Sequence, residues 1–192
     1  MIKKAVKGTF GYLDAQKKRV FLRTVIYFAI PLSLLAAGII STGSRRNLLT
    51  VVAILGCLPA CKSLVNLILY CRTRGCSEAA HETIVPVSRE RGLKGMYDLY
   101  FTSYKRNFAI SHMVVCGKNL CGFTEDPGCD AKACKEHLDT MLKQGGCKDM
   151  TVKIFTDLPK YCERLRQLSE SAGEKDSELG NRVRIVLYDI SL

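Results

Sequence analysis

Ten cysteines, three histidines and one adjacent pair of carboxylates are the residues of this 192-residue chain with the most chemistry to offer. Cys57 and Cys61 fall in an apolar run and Cys71 and Cys76 follow it. Cys116, Cys121, Cys129, Cys134, Cys147 and Cys162 are spread over the C-terminal part, with His137 three residues after Cys134. Structural zinc sites space paired ligands about two to four residues apart and separate the pairs by a longer stretch. The intervals from Cys116 to Cys134, with four, seven and four residues between successive cysteines, do not follow that pattern. The expectation is therefore reduced, mostly buried thiols, with no metal ligand and no cofactor-binding residue assigned. Were a metal bound, Cys129, Cys134, His137 and Cys147 would lead as its ligands. Disulfides would be expected only if this part of the chain faced an oxidising compartment.

His112 sits in an apolar strand pattern, and His81 and His137 read equally as packed or exposed side chains. Glu125 and Asp126, in the run GFTEDPG, form the most enzyme-like pair. With Lys118 or Lys153 as basic partner they could serve acid–base hydrolysis. The same run reads as a polar turn entering a helix, which is the preferred interpretation, and no catalytic residue is assigned. No phosphate-cradling glycine loop, HExxH, GxSxG or CxxC is present.

The elements that would position these residues can be read from periodicity. Ser77 opens SEAAHETI as a capped helix that Pro86 should end or interrupt, followed by a loop around Gly92 and Gly95. Tyr97–Ser103, Asn107–Cys116 and Leu120–Thr124 are rich in β-formers and should make an antiparallel meander, turning at Gly117–Asn119. Asp130–Lys143 places Cys134, Leu138, Met141 and Leu142 on one helical face, ahead of a Gly145–Gly146 stop. Met150–Phe155 alternates as a strand, and Asp157–Leu158–Pro159 opens a helix with a stripe of Leu158, Tyr161, Cys162, Leu165 and Leu168. Ser169–Asn181 reads as a polar loop and Arg182–Ile190 as a final strand.

The expected fold class is an α/β (or α+β) soluble domain with a mixed sheet, in the order α-β-β-β-α-β-α-β, preceded by a two-helix transmembrane hairpin. Its first six elements resemble, at the level of fold only, the common core of restriction-endonuclease-like folds. The acid followed by Glu-x-Lys that such a nuclease needs is absent from Leu120–Asp126, so no nuclease activity is expected.

The first third of the chain differs in kind. Of 29 Lys/Arg and 18 Asp/Glu, twelve and one lie in residues 1–75, and seventeen of each in residues 76–192, so the net charge of +11 belongs entirely to the first part. Within it lie two apolar spans, about 24–41, containing Pro31, and 48–70, containing Pro59 and Lys62. Each approaches the length that crosses a hydrocarbon core. The link Ser41–Asn47 is too short for anything but an antiparallel hairpin. A secretory signal is disfavoured by the long 23-residue lead and the second span that follows at once.

Lys/Arg resist translocation. Lys3, Lys4, Lys7, Lys17, Lys18, Arg19 and Arg23 before the first span, with Arg72 and Arg74 after the second, outnumber Arg45 and Arg46 in the link. The expected division is a basic cytoplasmic segment 1–23, a membrane hairpin 24–71 and a cytoplasmic domain 77–192 in the cell membrane. Expected partners are the lipid bilayer, with basic flanks on anionic lipid, and a protein partner or a second copy. Nucleic acid is not expected, because the domain is neutral. Lys62 should snorkel to the cytoplasmic headgroups, with a partner-facing contact or an ion or substrate role as alternatives. The functional expectation is a non-catalytic interaction or regulatory module tethered by two helices; the alternatives are a membrane-anchored hydrolase and a small subunit of a larger membrane complex.

Overall fold

In a computed structural model, residues 6–43, 48–90, 92–104, 106–170 and 178–192 are described. Lys3, Lys4, Arg45 and Arg46, with most of the expected link and residues 171–177 of the expected polar loop, lie outside them. The chain divides into two compact units, Leu13–Thr73 and a discontinuous one made of Met1–Tyr12 with Arg74–Leu192.

The first unit is a pair of long helices, α1 (Tyr12–Thr42) and α2 (Leu48–Arg72). Both are long and apolar enough to cross a membrane. They touch along small residues: Ala53, Ala60 and Ser63 are buried at helical spacing on α2, and Gly56 lies against the ring of Pro31. Glycine and alanine let the two backbones approach. The Thr24 and Ser63 hydroxyls, both buried, are 2.7 Å apart. The two contacts, Thr24 with Ser63 and Pro31 with Gly56, run in opposite chain order, so the helices are antiparallel. The outward faces carry Leu22, Ile26, Ile30, Leu32, Ile54, Leu55, Leu58 and Val65, each about half exposed or more.

The second unit is a four-stranded sheet, β1 (Gly95–Thr102), β2 (Asn107–Cys116), β3 (Asn119–Phe123) and β4 (Thr151–Phe155), in that spatial order. The first three strands pair antiparallel and β4 joins β3 in parallel, after a crossover through α4 (Ala131–Gln144). Helices cover both faces. α4 and α6 (Glu178–Ile190) enclose one core with Met96, Leu99, Phe101, Ile110, Met113 and Leu120, and α3 (Glu78–Glu90) and α5 (Leu158–Glu170) enclose another with Val114, Cys121 and Phe123. The mixed α/β class expected from periodicity is what the chain adopts.

Two expectations are corrected. The last element, Arg182–Ile190, is helical and belongs to α6, so the order ends α-β-α-α. Its β-branched residues mimic a strand, but Gly180, Val183 and Leu187 are buried at helical spacing while Ile185 stays exposed. Only Ser191 bridges to Phe101. Pro86, for its part, does not end α3, which runs on to Glu90. Burial of Ile84 and Val87 on either side offsets the missing hydrogen bond.

The sheet also carries a feature that alternation does not foresee. Met96, Leu99, Phe101 and Ile110, Met113, Val115 all face the same core, so both β1 and β2 reset their alternation where Asp98 opposes Ser111. Asp98 sits in the left-handed region at φ 56°, which flips the next side chain to the other face. The outer edge of β1 is covered: Tyr97 N–H donates to the Gly8 carbonyl and Leu192 N–H to the Tyr100 carbonyl.

Candidate functional site

The reset in the sheet collects the polar groups that most resemble an active site. Asp98 is buried and its carboxylate accepts the Cys76 N–H at 2.7 Å. Glu125, just past β3, accepts both the N–H (2.9 Å) and the hydroxyl (2.6 Å) of Ser77, whose oxygen in turn caps α3 through the Ala80 N–H. Asp126 accepts the Gly128 N–H at 2.9 Å. Both carboxylates singled out in the sequence thus hold backbone. Neither Lys118 nor Lys153 pairs with them among the described residues. Lys118 precedes β3 and Glu125 follows it, roughly 20 Å apart at about 3.3 Å per residue. The thiol of Cys76 is pushed up to about 12, first by burial and then by Glu125 and Asp98. A thiol so placed is a poor nucleophile.

The histidines fall into two settings. His112 is fully buried; its Nδ1 lies 2.7 Å from the Tyr161 hydroxyl and its Nε2 has no partner. Burial holds its imidazole down to about 3, with a smaller push from His81, so the ring is neutral. Tyr97 lies between His112 and His81 at ring distances of 4.3 and 4.8 Å, and His81 stacks on Phe10 at 3.9 Å. The space beyond Nε2 is closed by Gly95, whose α-carbon leaves no room for a Cβ. This array is packing, with no room for a ligand at the free nitrogen.

His137 faces open space instead. A cavity of about 420 Å³ lies between the first turns of α4 and the end of the β1–β2 hairpin, lined by Ser103, Arg106, Phe108, Asp130, His137 and Thr140 among others. Arg106 is 3.8 Å from Asp130, the residue that caps α4 through Lys132 N–H and Ala133 N–H. Burial lowers the His137 imidazole below its ordinary value, which favours the neutral ring. An apolar wall at Phe108 and Ala133 faces these polar groups, as in many small-molecule pockets. Arg106 was not singled out in the sequence. A lone Arg beside a hairpin turn has no local signature, and only the approach of α4 makes it part of a cavity.

The sheet divides the cysteines. Cys134, Cys147 and, at its margin, Cys129 belong to the core under α4 and α6, while Cys116, Cys121 and Cys162 belong to the core under α3 and α5. All ten are free thiols. No group of three or more potential ligands is arranged to hold a metal among the described residues. The neighbouring Cys134 lowers the Cys129 thiol, whereas Cys129 and burial raise that of Cys134.

In the helical pair, Lys62 lines a cleft of about 260 Å³ with Arg23, Tyr27, Pro59, Ser63 and Asn66. Arg23 and Lys62 thus line one cleft although they lie 39 positions apart in the chain. Compared with known proteins, the chain matches no family model, no curated protein and no solved structure.

Proposed function

We propose that this chain is a membrane-anchored, non-catalytic binding module. Leu13–Thr73 serves as a two-span anchor, and the α/β unit works in the cytoplasm. The observation that carries the reading is the outward apolar surface of α1 and α2, from Leu22 to Ile40 and from Leu48 to Ile68. A surface of that extent on a soluble monomer would drive association, whereas lipid covers it at no cost. The excess of Lys/Arg at the ends away from the link supports a cytoplasmic location for both termini.

The non-catalytic part of the reading rests on where the reactive groups are spent. Glu125 and Asp126 cap backbone, and Cys76 is held protonated by burial first and then by Glu125 and Asp98. The cavity at Arg106 and His137 is the proposed seat of a small polar ligand with an apolar body. The rival hydrolase through Glu125 and Asp126 finds neither Lys118 nor Lys153 paired with them among the described residues, and a subunit role through Lys62 is the remaining alternative.

The test has two arms. The full chain should resist alkaline extraction from membranes, and a reporter active only outside the cytoplasm, fused after Leu192, should be silent. Release by alkali or an active reporter overturns the anchor or its orientation. Given a deletion phenotype, Glu125→Ala with Asp126→Ala should retain function whereas Arg106→Ala with His137→Ala should lose it. The opposite pattern would restore the hydrolase.

A further inference from the structure

We infer that the cleft between Arg23 and Lys62 is a binding site for a phosphate group, supplied by the headgroup of an anionic phospholipid. The inference rests on the membrane reading above. Val20, Phe21 and Leu22 extend the first span of about 24–41 past Arg23, so the apolar band covers Val20 to Ile40 on α1 and Leu48 to Leu69 on α2, each about 30 Å at 1.5 Å per residue. Arg23 therefore lies about one turn, and Lys62 about two turns, inside the ends of the band that face away from the link. Cations at that depth are costly unless an anion or water meets them.

The helical unit itself offers little negative charge. Residues 13–73 contain a single acid, Asp14, and its carboxylate pairs with Lys17 at 3.2 Å. The cleft of about 260 Å³ is lined by Arg23, Lys62, Asn66, Tyr27, Ser63 and Pro59, none of them acidic. Asn66 and Tyr27 add neutral donors for the remaining oxygens of a phosphate, and Arg offers the forked geometry that such a group prefers. The Thr24–Ser63 contact, at the same level, holds the two helices in register so that Arg23 and Lys62 stay on one side.

A phospholipid is favoured over a water-soluble phosphate because the cleft lies within the apolar band, with the outward-facing Leu22, Ile26 and Leu58 nearby in the chain. The interaction involves no covalent step. It would make the anchor selective for membranes rich in anionic lipid, beyond the general attraction of the basic flanks.

The test uses the full chain in vesicles of phosphatidylcholine, with or without phosphatidylglycerol, followed by gentle extraction and native mass spectrometry of the retained lipid. The chain should keep phosphatidylglycerol in preference to phosphatidylcholine. Arg23→Gln with Lys62→Gln should reduce that preference about tenfold or more, the effect expected of two interfacial cations. Lys17→Gln with Lys18→Gln removes the same charge outside the cleft and should leave it nearly intact. Exchange of the two cations, Arg23→Lys with Lys62→Arg, should largely restore it and guards against a folding artefact. Resistance of the retained lipid to excess inorganic phosphate identifies the headgroup as the occupant, and displacement would overturn the lipid assignment in favour of free phosphate. An equal loss in both double variants, no preference in the parent chain, or retention of a protein released by Arg23→Gln with Lys62→Gln would overturn the site. Failure of the chain to enter vesicles at all would instead overturn the anchor.

Discussion

The hydroxyl of Tyr161 on α5 lies 2.7 Å from Nδ1 of His112 on β2, and both side chains are fully buried. The pair ties α5 to the sheet through a polar contact inside an apolar layer. A neutral imidazole and a phenol bring two donors, yet one hydrogen bond joins them and Nε2 has no partner. One buried donor is therefore left over whichever nitrogen carries the proton. Such a pair contributes little net stability but is costly to break on one side.

Replacing Tyr161 by Phe removes the partner and leaves both ring nitrogens bare. We expect a loss of about 1–3 kcal/mol, read from thermal unfolding followed by circular dichroism. An unchanged melting temperature would mean that water reaches the imidazole.

Acid should weaken the fold through the same histidine. The His112 imidazole is held at about 3 against an ordinary 6.5, so the unfolded chain takes up a proton that the folded chain refuses. The stability associated with neutral His112 is complete above 6.5 and falls as the pH drops from there toward 3. His137, also lowered, acts in the same direction. In His112→Leu most of the slope between pH 6 and pH 4 should vanish, and a slope equal to the parent's would assign the acid sensitivity elsewhere.

Gly95 is required by contact with the same ring. A Cβ at this position would overlap His112 Nε2. Gly95→Ala should cost about 1–3 kcal/mol through overpacking. In a His112→Ala background the same change should cost far less. The coupling measured by that double-mutant cycle checks the contact, and additive losses would speak against it.

The thiols should react in a definite order. Cys129, half-buried, has its thiol lowered by the neighbouring Cys134, whereas Cys76 is pushed up to about 12. With a limiting alkylating agent near neutral pH, Cys129 should be modified well before Cys76, because the thiolate is the reacting form. Peptide mapping by mass spectrometry gives the order directly. Glu125→Gln, which removes one of the charges opposing the Cys76 thiolate, should speed the slower reaction.

The two long helices, β2, β3, β4 and α4 were legible because each depends on a local period. An apolar run needs only its own composition to declare itself, and Asp130 with Gly145–Gly146 marks the ends of α4 within a few residues. The α6 segment misled because RVRIVLYDI satisfies both periods over its short length. What settles it is that Val183 and Leu187 are buried against α4 and the sheet, a helical spacing chosen by partners far away in the chain.

The sequence by itself determined the sorting of charge, the two apolar spans and the mixed α/β class, since each is a sum over neighbours along the chain. The tertiary structure alone decided that Asp98 and Ser111 reset the sheet, that Gly8 pairs with Tyr97, that Arg106 and His137 share a cavity and that Arg23 and Lys62 line one cleft. These are pairings between residues well apart in the chain, set by packing and close approach. Local periodicity carries no record of which distant side chain will fill a given space.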